Sequence, residues 1–348
     1  MTTKLAPLTE AIIPIWERAF GRSQIGVDDN FFELGGNLST ARDLFGEIAK
    51  VCGTELPPET ILRAPTIAGL AGLLEGTDSP RLPRLIQMRS GAERPAVFIT
   101  HGIGSNVLEL SQLLRHIQTD HVIYGLQARG IDGVDEPHER IEDMAEYFLD
   151  AVREKQPQGP YIFIGYSMGG LVALEMAQRM CETGEKVDLL AMIDSFPDRP
   201  FLPMNQVLGI YVRVLKKHLS NLRQLPLRGA LSYIFRQSYR TEFMFRRRLG
   251  TSSPGRSLRL NQTMQRVLAA GYKALAHYRP HLYPGKINFV RAEISVDFPD
   301  NANAVWRGLT AELVVETAPG DHQGVITAHA DFLGSILSRY LHEALCQK

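Results

Sequence analysis

The chain has 348 residues, 44% of them hydrophobic and 22% charged, and its 38 basic and 38 acidic side chains balance to a net charge of zero. Length and composition suit one or two globular domains with ample cores, and the balanced charge excludes a bulk attraction to nucleic acid or an anionic membrane. Cys52, Cys181 and Cys346 are too widely spaced for a disulfide framework or a metal site, no apolar run reaches a membrane span of roughly 18 residues, and no signal-peptide pattern opens the chain. A soluble, cytoplasmic protein without metal, nucleic-acid partner or stable membrane insertion is expected.

Residues 5–77 predict a small bundle of four short helices. Ile12, Ile13, Ile15, Trp16 and Phe20 recur at helical spacing, and a Gly-rich loop then leads into a helix marked by Leu38, Ala41, Leu44, Phe45 and Ile48. A short helix near Glu59–Leu62 precedes Thr66, a good N-cap for a last helix ending at Leu74. The runs Asp29-Asn30-Phe31-Phe32-Glu33-Leu34-Gly35-Gly36-Asn37 and Ala64-Pro65-Thr66-Ile67-Ala68-Gly69-Leu70-Ala71 resemble the carrier domains of nonribosomal peptide synthetases. That resemblance implies a covalent 4'-phosphopantetheine arm on a serine directly after the Gly-Gly-Asn. Here the order is Leu38-Ser39 where the family has Ser-Leu, with Ala41, Leu44 and Ile48 still in register. Either Leu38 packs inward and Ser39 carries the arm, or the module is an unloaded docking domain. A one-residue shift turns a side chain about 100° around a helix axis, so the two readings differ physically.

Residues 78–94 read as a linker, with Pro80 and Pro83 opposing helix and Leu85–Met88 a short strand entering the next unit. Over residues 95–345, apolar runs at 96–100, 122–126, 161–165, 189–193, 286–290 and 311–315 alternate with helical patterns at 107–116, 141–154 and 170–183. Such alternation predicts a mostly parallel sheet covered by helices on both faces, with active groups at the carboxyl ends of the strands.

Three strand ends carry candidates. Gly165-Tyr166-Ser167-Met168-Gly169 joins a strand to a helix, the setting of a nucleophile elbow, where flanking glycines let strand and helix pass closely. Asp194 closes the 189–193 strand, and His322 lies in a Gly-rich loop after the last strand. The chain order Ser, Asp, His is that of α/β-hydrolases: His322 would take the Ser167 proton and Asp194 would orient the imidazole. An acid after the penultimate strand, Glu293 or Asp297, is the alternative. The backbone N–H groups of Ile103, in His101-Gly102-Ile103-Gly104, and of Met168 are the candidate oxyanion pair, while His101 reads as a loop-stabilising residue.

Residues 165–177, with Ile193-Asp194-Ser195-Phe196-Pro197, Tyr283-Pro284-Gly285-Lys286-Ile287 and Gly320-Asp321-His322, look like the thioesterase domain of nonribosomal peptide synthetases. The resemblance implies an α/β-hydrolase fold, an acid at Asp194 rather than Asp297, and a helical lid insertion at about 200–265 over an acyl pocket. It further implies release of an acyl or peptidyl chain from an acyl- or peptidyl-carrier domain. The alternative is an acyltransferase or repair thioesterase working on other carriers. Between 201 and 260 twelve basic residues, from Arg213 to Arg259, face a single acid, Glu242, whereas residues 10–78 are predominantly acidic. A basic lid steering an acidic carrier is therefore expected.

Overall fold

The computed structural model describes residues 5–76, 81–104, 106–224 and 262–346. Helices α1 (Leu5–Phe20), α2 (Leu38–Cys52) and α3 (Ile67–Leu74), with a 3-10 turn at Pro58–Leu62, form the N-terminal bundle. Asn37 starts α2 by accepting the N–H groups of Ser39 and Thr40, and Thr66 Oγ1 starts α3 by accepting that of Gly69. Two orphan donors at the start of α2 and one at the start of α3 thereby find a side-chain partner. Trp16, Phe20, Phe31 and Phe32 supply the aromatic centre, in tilted and edge contacts with centroids 5.4–5.9 Å apart.

The remainder builds one sheet of seven strands: β1 (Leu85–Arg89), β2 (Ala92–Thr100), β3 (His121–Leu126), β4 (Tyr161–Tyr166), β5 (Val187–Ile193), β6 (Tyr283–Ile294) and β7 (Thr310–Asp321). Their order is β1-β3-β2-β4-β5-β6-β7, with β1 antiparallel to β3 and every other pair parallel. Alternation along each strand divides the core. Val97, Ile99, Ile162 and Ile164 face one side, and Ala96, Phe98, Tyr161 and Phe163 the other. Helices α5 (Ile141–Lys155) and α6 (Met168–Glu182) cover the second side.

The first side is covered by α10 (Ala330–Cys346) and by the short α4 (Ser111–Leu114). The helical pattern at 107–116 divides into a 3-10 turn at Val107–Leu110 and the single α turn of α4. Between β5 and β6 stand α7 (Met204–Gln224) and α8 (Gln262–His277); α9 (Ala302–Trp306) precedes β7. The expected insertion at 200–265 falls partly on α7 and α8. Residues 225–261, with Glu242 and the basic positions from Arg228 to Arg259, lie outside the described residues.

The bundle rests on the β1 edge. Asn30 Nδ2 donates to Gln87 O at 3.3 Å, Ser90 N–H donates to Glu33 Oε1 at 2.7 Å, and Gly35 lies against the Arg115 guanidinium. Strand order reverses beside β2, because β3 lies on one flank of it and β4 on the other. That switch point opens a crevice at the carboxyl ends of β2 and β4, which is where the loops carrying Ile103 and Ser167 emerge.

Candidate active site

The turn after β4 is sterically extreme. Ser167 has φ 56° and ψ −125°, outside the regions L-residues favour, so the backbone turns sharply and α6 starts at the next residue. A methyl on Gly165 would lie 2.4 Å from Gly169 O, and one on Gly169 would lie 2.2 Å from His101 O. Both contacts are with backbone, which cannot step aside, so glycine is required at each position. Ser167 N–H donates to Ile193 O at 2.8 Å, tying the elbow to β5.

Asp194 directly follows β5 with φ 45°, a second strained residue, and its side chain is fully buried. Its Oδ1 accepts the Ala292 N–H at 3.0 Å, and its Oδ2 lies 2.7 Å from His322 Nδ1. His322 Nε2 lies 2.9 Å from Ser167 Oγ. Three groups distant in the chain thus form one continuous hydrogen-bonded row. Glu293 and Asp297, the alternative acids, are exposed, and the carboxylate bonded to His322 is that of Asp194.

Two aromatic rings stack on the imidazole: Tyr166 at 5.0 Å and 26°, and Phe298 at 4.3 Å and 28°. The Tyr166 hydroxyl also donates to His322 O at 2.8 Å, and burial pushes that phenol well above its ordinary range. Met168 N–H is the first of α6, one of the amides a helix cannot satisfy internally. The Ile103 and Met168 side chains converge on Gly271 of α8, so the two candidate oxyanion residues share one neighbour. His101 packs in the core with Nδ1 2.8 Å from Gly102 O, and burial lowers its imidazole to about 4, which keeps it neutral.

Glu109 is the residue that sequence reasoning missed. Its Oε1 accepts the Gly102 N–H at 2.5 Å, bracing the loop that carries Ile103. Burial raises its carboxyl to about 7, against the smaller opposing pulls of the Gly102 N–H and His322. The signal was an acid within the otherwise apolar Val107-Leu108-Glu109-Leu110. Phe298 had no comparable signal, because it sits in an irregular loop after β6.

In the bundle, Ser39 is exposed in the first turn of α2, while Leu38 is half-buried and packs against the hydrophobic cluster that the bundle shares with one side of the sheet. Among the described residues, no group of His, Cys, Asp and Glu could hold a metal ion, and no helix is long and apolar enough to cross a membrane.

Residues 10–74 match the family of the phosphopantetheine attachment site, and residues 95–200 match the thioesterase domain. Residues 10–74 are thus a phosphopantetheine-attachment domain, followed over residues 95–200 by a thioesterase domain. The chain is similar to a dimodular nonribosomal peptide synthase of Bacillus subtilis (strain 168), 37% identical over 201 residues, covering 58% of this chain and 8% of that protein. Against an indigoidine synthase of Streptomyces lavendulae it is 38% identical over 194 residues, 54% of this chain and 15% of that one. The chain therefore spans a small fraction of the length of these relatives.

Among solved structures, a holo four-domain nonribosomal peptide synthetase bound to AMP and glycine superposes on 98% of the chain, with a TM-score of 0.57, 20% identity and 26% of its own length. A type II thioesterase from the borrelidin biosynthetic cluster covers 74% of the chain and 96% of itself, with a TM-score of 0.50 and 17% identity. At these identities the likeness is one of fold: the thioesterase domain is a mostly parallel α/β sheet of the hydrolase type. The attachment domain is the kind on which 4'-phosphopantetheine is covalently held.

Proposed function

We propose that the thioesterase domain releases an acyl or peptidyl chain from a phosphopantetheine carrier, in nonribosomal peptide-type biosynthesis, through an acyl-enzyme on Ser167. The observation that carries this reading is the hydrogen-bonded row Ser167–His322–Asp194, at 2.9 and 2.7 Å. Ser167 Oγ attacks the thioester carbonyl carbon as His322 Nε2 takes its proton. Asp194 accepts from Nδ1–H, which fixes the tautomer and stabilises the imidazolium. The negative oxygen of the tetrahedral intermediate is held by the amides of Met168 and Ile103. As the carbon–sulfur bond breaks, His322 returns the proton to the leaving sulfur. Water or a nucleophile within the bound chain then attacks the Ser167 ester, again with His322 as base.

Ser39 is the proposed attachment residue. Its exposure suits modification, and the inward packing of Leu38 leaves it the outward hydroxyl at the helix start. An arm on Ser39 would present the acyl group as a thioester. A partner carrier is the other source of substrate. The exposed Lys216, Lys217 and Arg223 of α7 suit an acidic domain, and a transfer rate that falls with added salt is expected.

Two weighings of the intact protein test the proposal. Treatment with a fluorophosphonate should add one adduct, absent in Ser167→Ala. Treatment with a phosphopantetheinyl transferase and coenzyme A should add one arm, absent in Ser39→Ala. No fluorophosphonate adduct on the folded wild type would remove the catalytic reading. No arm would leave the N-terminal domain a docking module, and the enzyme one that acts on other carriers, the reading favoured by the Leu38-Ser39 order.

A further inference from the structure

His322 has both ring nitrogens bonded, and those bonds fix its position within the ring plane. The tilt of the plane is set by what lies on its faces. Tyr166 is rigid, being the last residue of β4 with its hydroxyl bonded to His322 O. Phe298 is different. It belongs to an irregular loop between β6 and α9, yet its ring is the nearer of the two, at 4.3 Å.

What holds Phe298 is helix α7 of the insertion. Arg213 Nη2 donates to Phe298 O at 2.7 Å, and Nη1 donates to Asp300 Oδ2 at 2.5 Å. Seven residues earlier on α7, Gln206 Oε1 accepts the Asn301 N–H at 3.3 Å. Phe196, two residues beyond Asp194, stacks on Phe298 at 6.2 Å and 28°. The guanidinium is largely covered, with only 23% of the side chain exposed. A planar fork reaching a carbonyl and a carboxylate at once is a task for arginine that lysine cannot copy. Of the basic residues expected to form a steering face, Arg213 is therefore turned inward and committed.

We propose that Arg213 and Phe298 are positioning residues, through which insertion helix α7 sets the plane of the His322 imidazole. The inference rests on the reading of His322 as the base for Ser167. Loss of the fork frees the Phe298 loop, the imidazole tilts, and Nε2 leaves the line to Ser167 Oγ. Misplacement of about 1 Å at a reacting group can cost on the order of 100-fold in rate.

The test uses the full chain and the variants Arg213→Lys, Arg213→Ala, Phe298→Leu and Phe298→Tyr. Acylation of Ser167 by an N-acetylcysteamine thioester is followed alongside the low-field proton resonance of His322 Nδ1–H. Arg213→Ala and Phe298→Leu should lower kcat by roughly 10- to 100-fold with KM held within about twofold, and should broaden that resonance. Arg213→Lys should fall with them, because an ammonium keeps the Asp300 charge pair but loses the fork. Phe298→Tyr keeps the flat face and should recover much of the rate lost in Phe298→Leu. A Phe298→Leu protein with a lower melting temperature but wild-type kcat and an unchanged resonance overturns the inference, since that is the result of a packing role alone. Wild-type protein that no fluorophosphonate labels at Ser167 would instead defeat the functional reading beneath it.

Discussion

Replacing Glu109 with glutamine should change how stability depends on pH, and the size follows from the structure. The folded protein holds the Glu109 carboxyl at about 7, against 4.5 for the free group, because the side chain is enclosed beside Tyr166 and the Gly102 loop. Between those two values the folded state binds a proton that the unfolded state has released. Stability therefore falls as pH rises from 4.5 to 7, by about 3 kcal/mol in all. Glutamine keeps the carbonyl that accepts the Gly102 N–H and does not titrate. The stability of Glu109→Gln relative to wild type should thus climb by about 3 kcal/mol across this window and level off above it.

The comparison must be made between variant and wild type, because His101 pulls the other way. Its imidazole sits at about 4 in the fold and at 6.5 when free, so it makes stability rise with pH between those values. Urea unfolding from pH 4 to 8, followed by Trp306 fluorescence in a Trp16→Phe background, reports the hydrolase-type domain alone. A difference between the two proteins that stays flat from pH 4.5 to 7 would refute the reasoning, by showing that burial does not govern the Glu109 carboxyl.

The elbow makes two further predictions and the orienting acid a third. Gly165→Ala puts a methyl 2.4 Å from Gly169 O and 2.5 Å from Gly170 Cα, so a loss of about 3 kcal/mol or failure to fold is expected, read by thermal melting. Ser167→Gly should do the reverse: relief of a non-glycine residue at φ 56° should stabilise by about 1 kcal/mol while abolishing fluorophosphonate labelling. Asp194→Asn should fold, because the side chain can still accept the Ala292 N–H, but should lower the Ser167 acylation rate by about 10⁴ through the wrong imidazole tautomer. An Asp194→Asn protein acylating within tenfold of wild type would point away from Asp194 as the orienting acid.

Much of this protein was legible along the chain because the relevant constraints are local. A serine between glycines at a strand-to-helix turn needs only its neighbours to define it, and Thr66 caps its helix through a bond three residues away. Alternating apolar runs announced the parallel sheet, since strands buried on both faces must be apolar throughout. What the tertiary structure decided are contacts between segments with no local signature. The carboxylate that meets His322 is chosen by the adjacency of β5 and β6, 128 residues from the histidine, and not by any property of Asp297 as an acid. Ser39 is exposed while its neighbour Leu38 packs against a hydrophobic cluster shared by the bundle and one side of the sheet, a difference set by how α2 docks. Glu109 and Phe298 acquire their places only when the 3-10 turn folds over the Gly102 loop and α7 grips the segment after β6. Periodicity records which face of an element is buried; it carries no record of which distant side chain will lie against that face, because that choice is made by sheet order and loop docking.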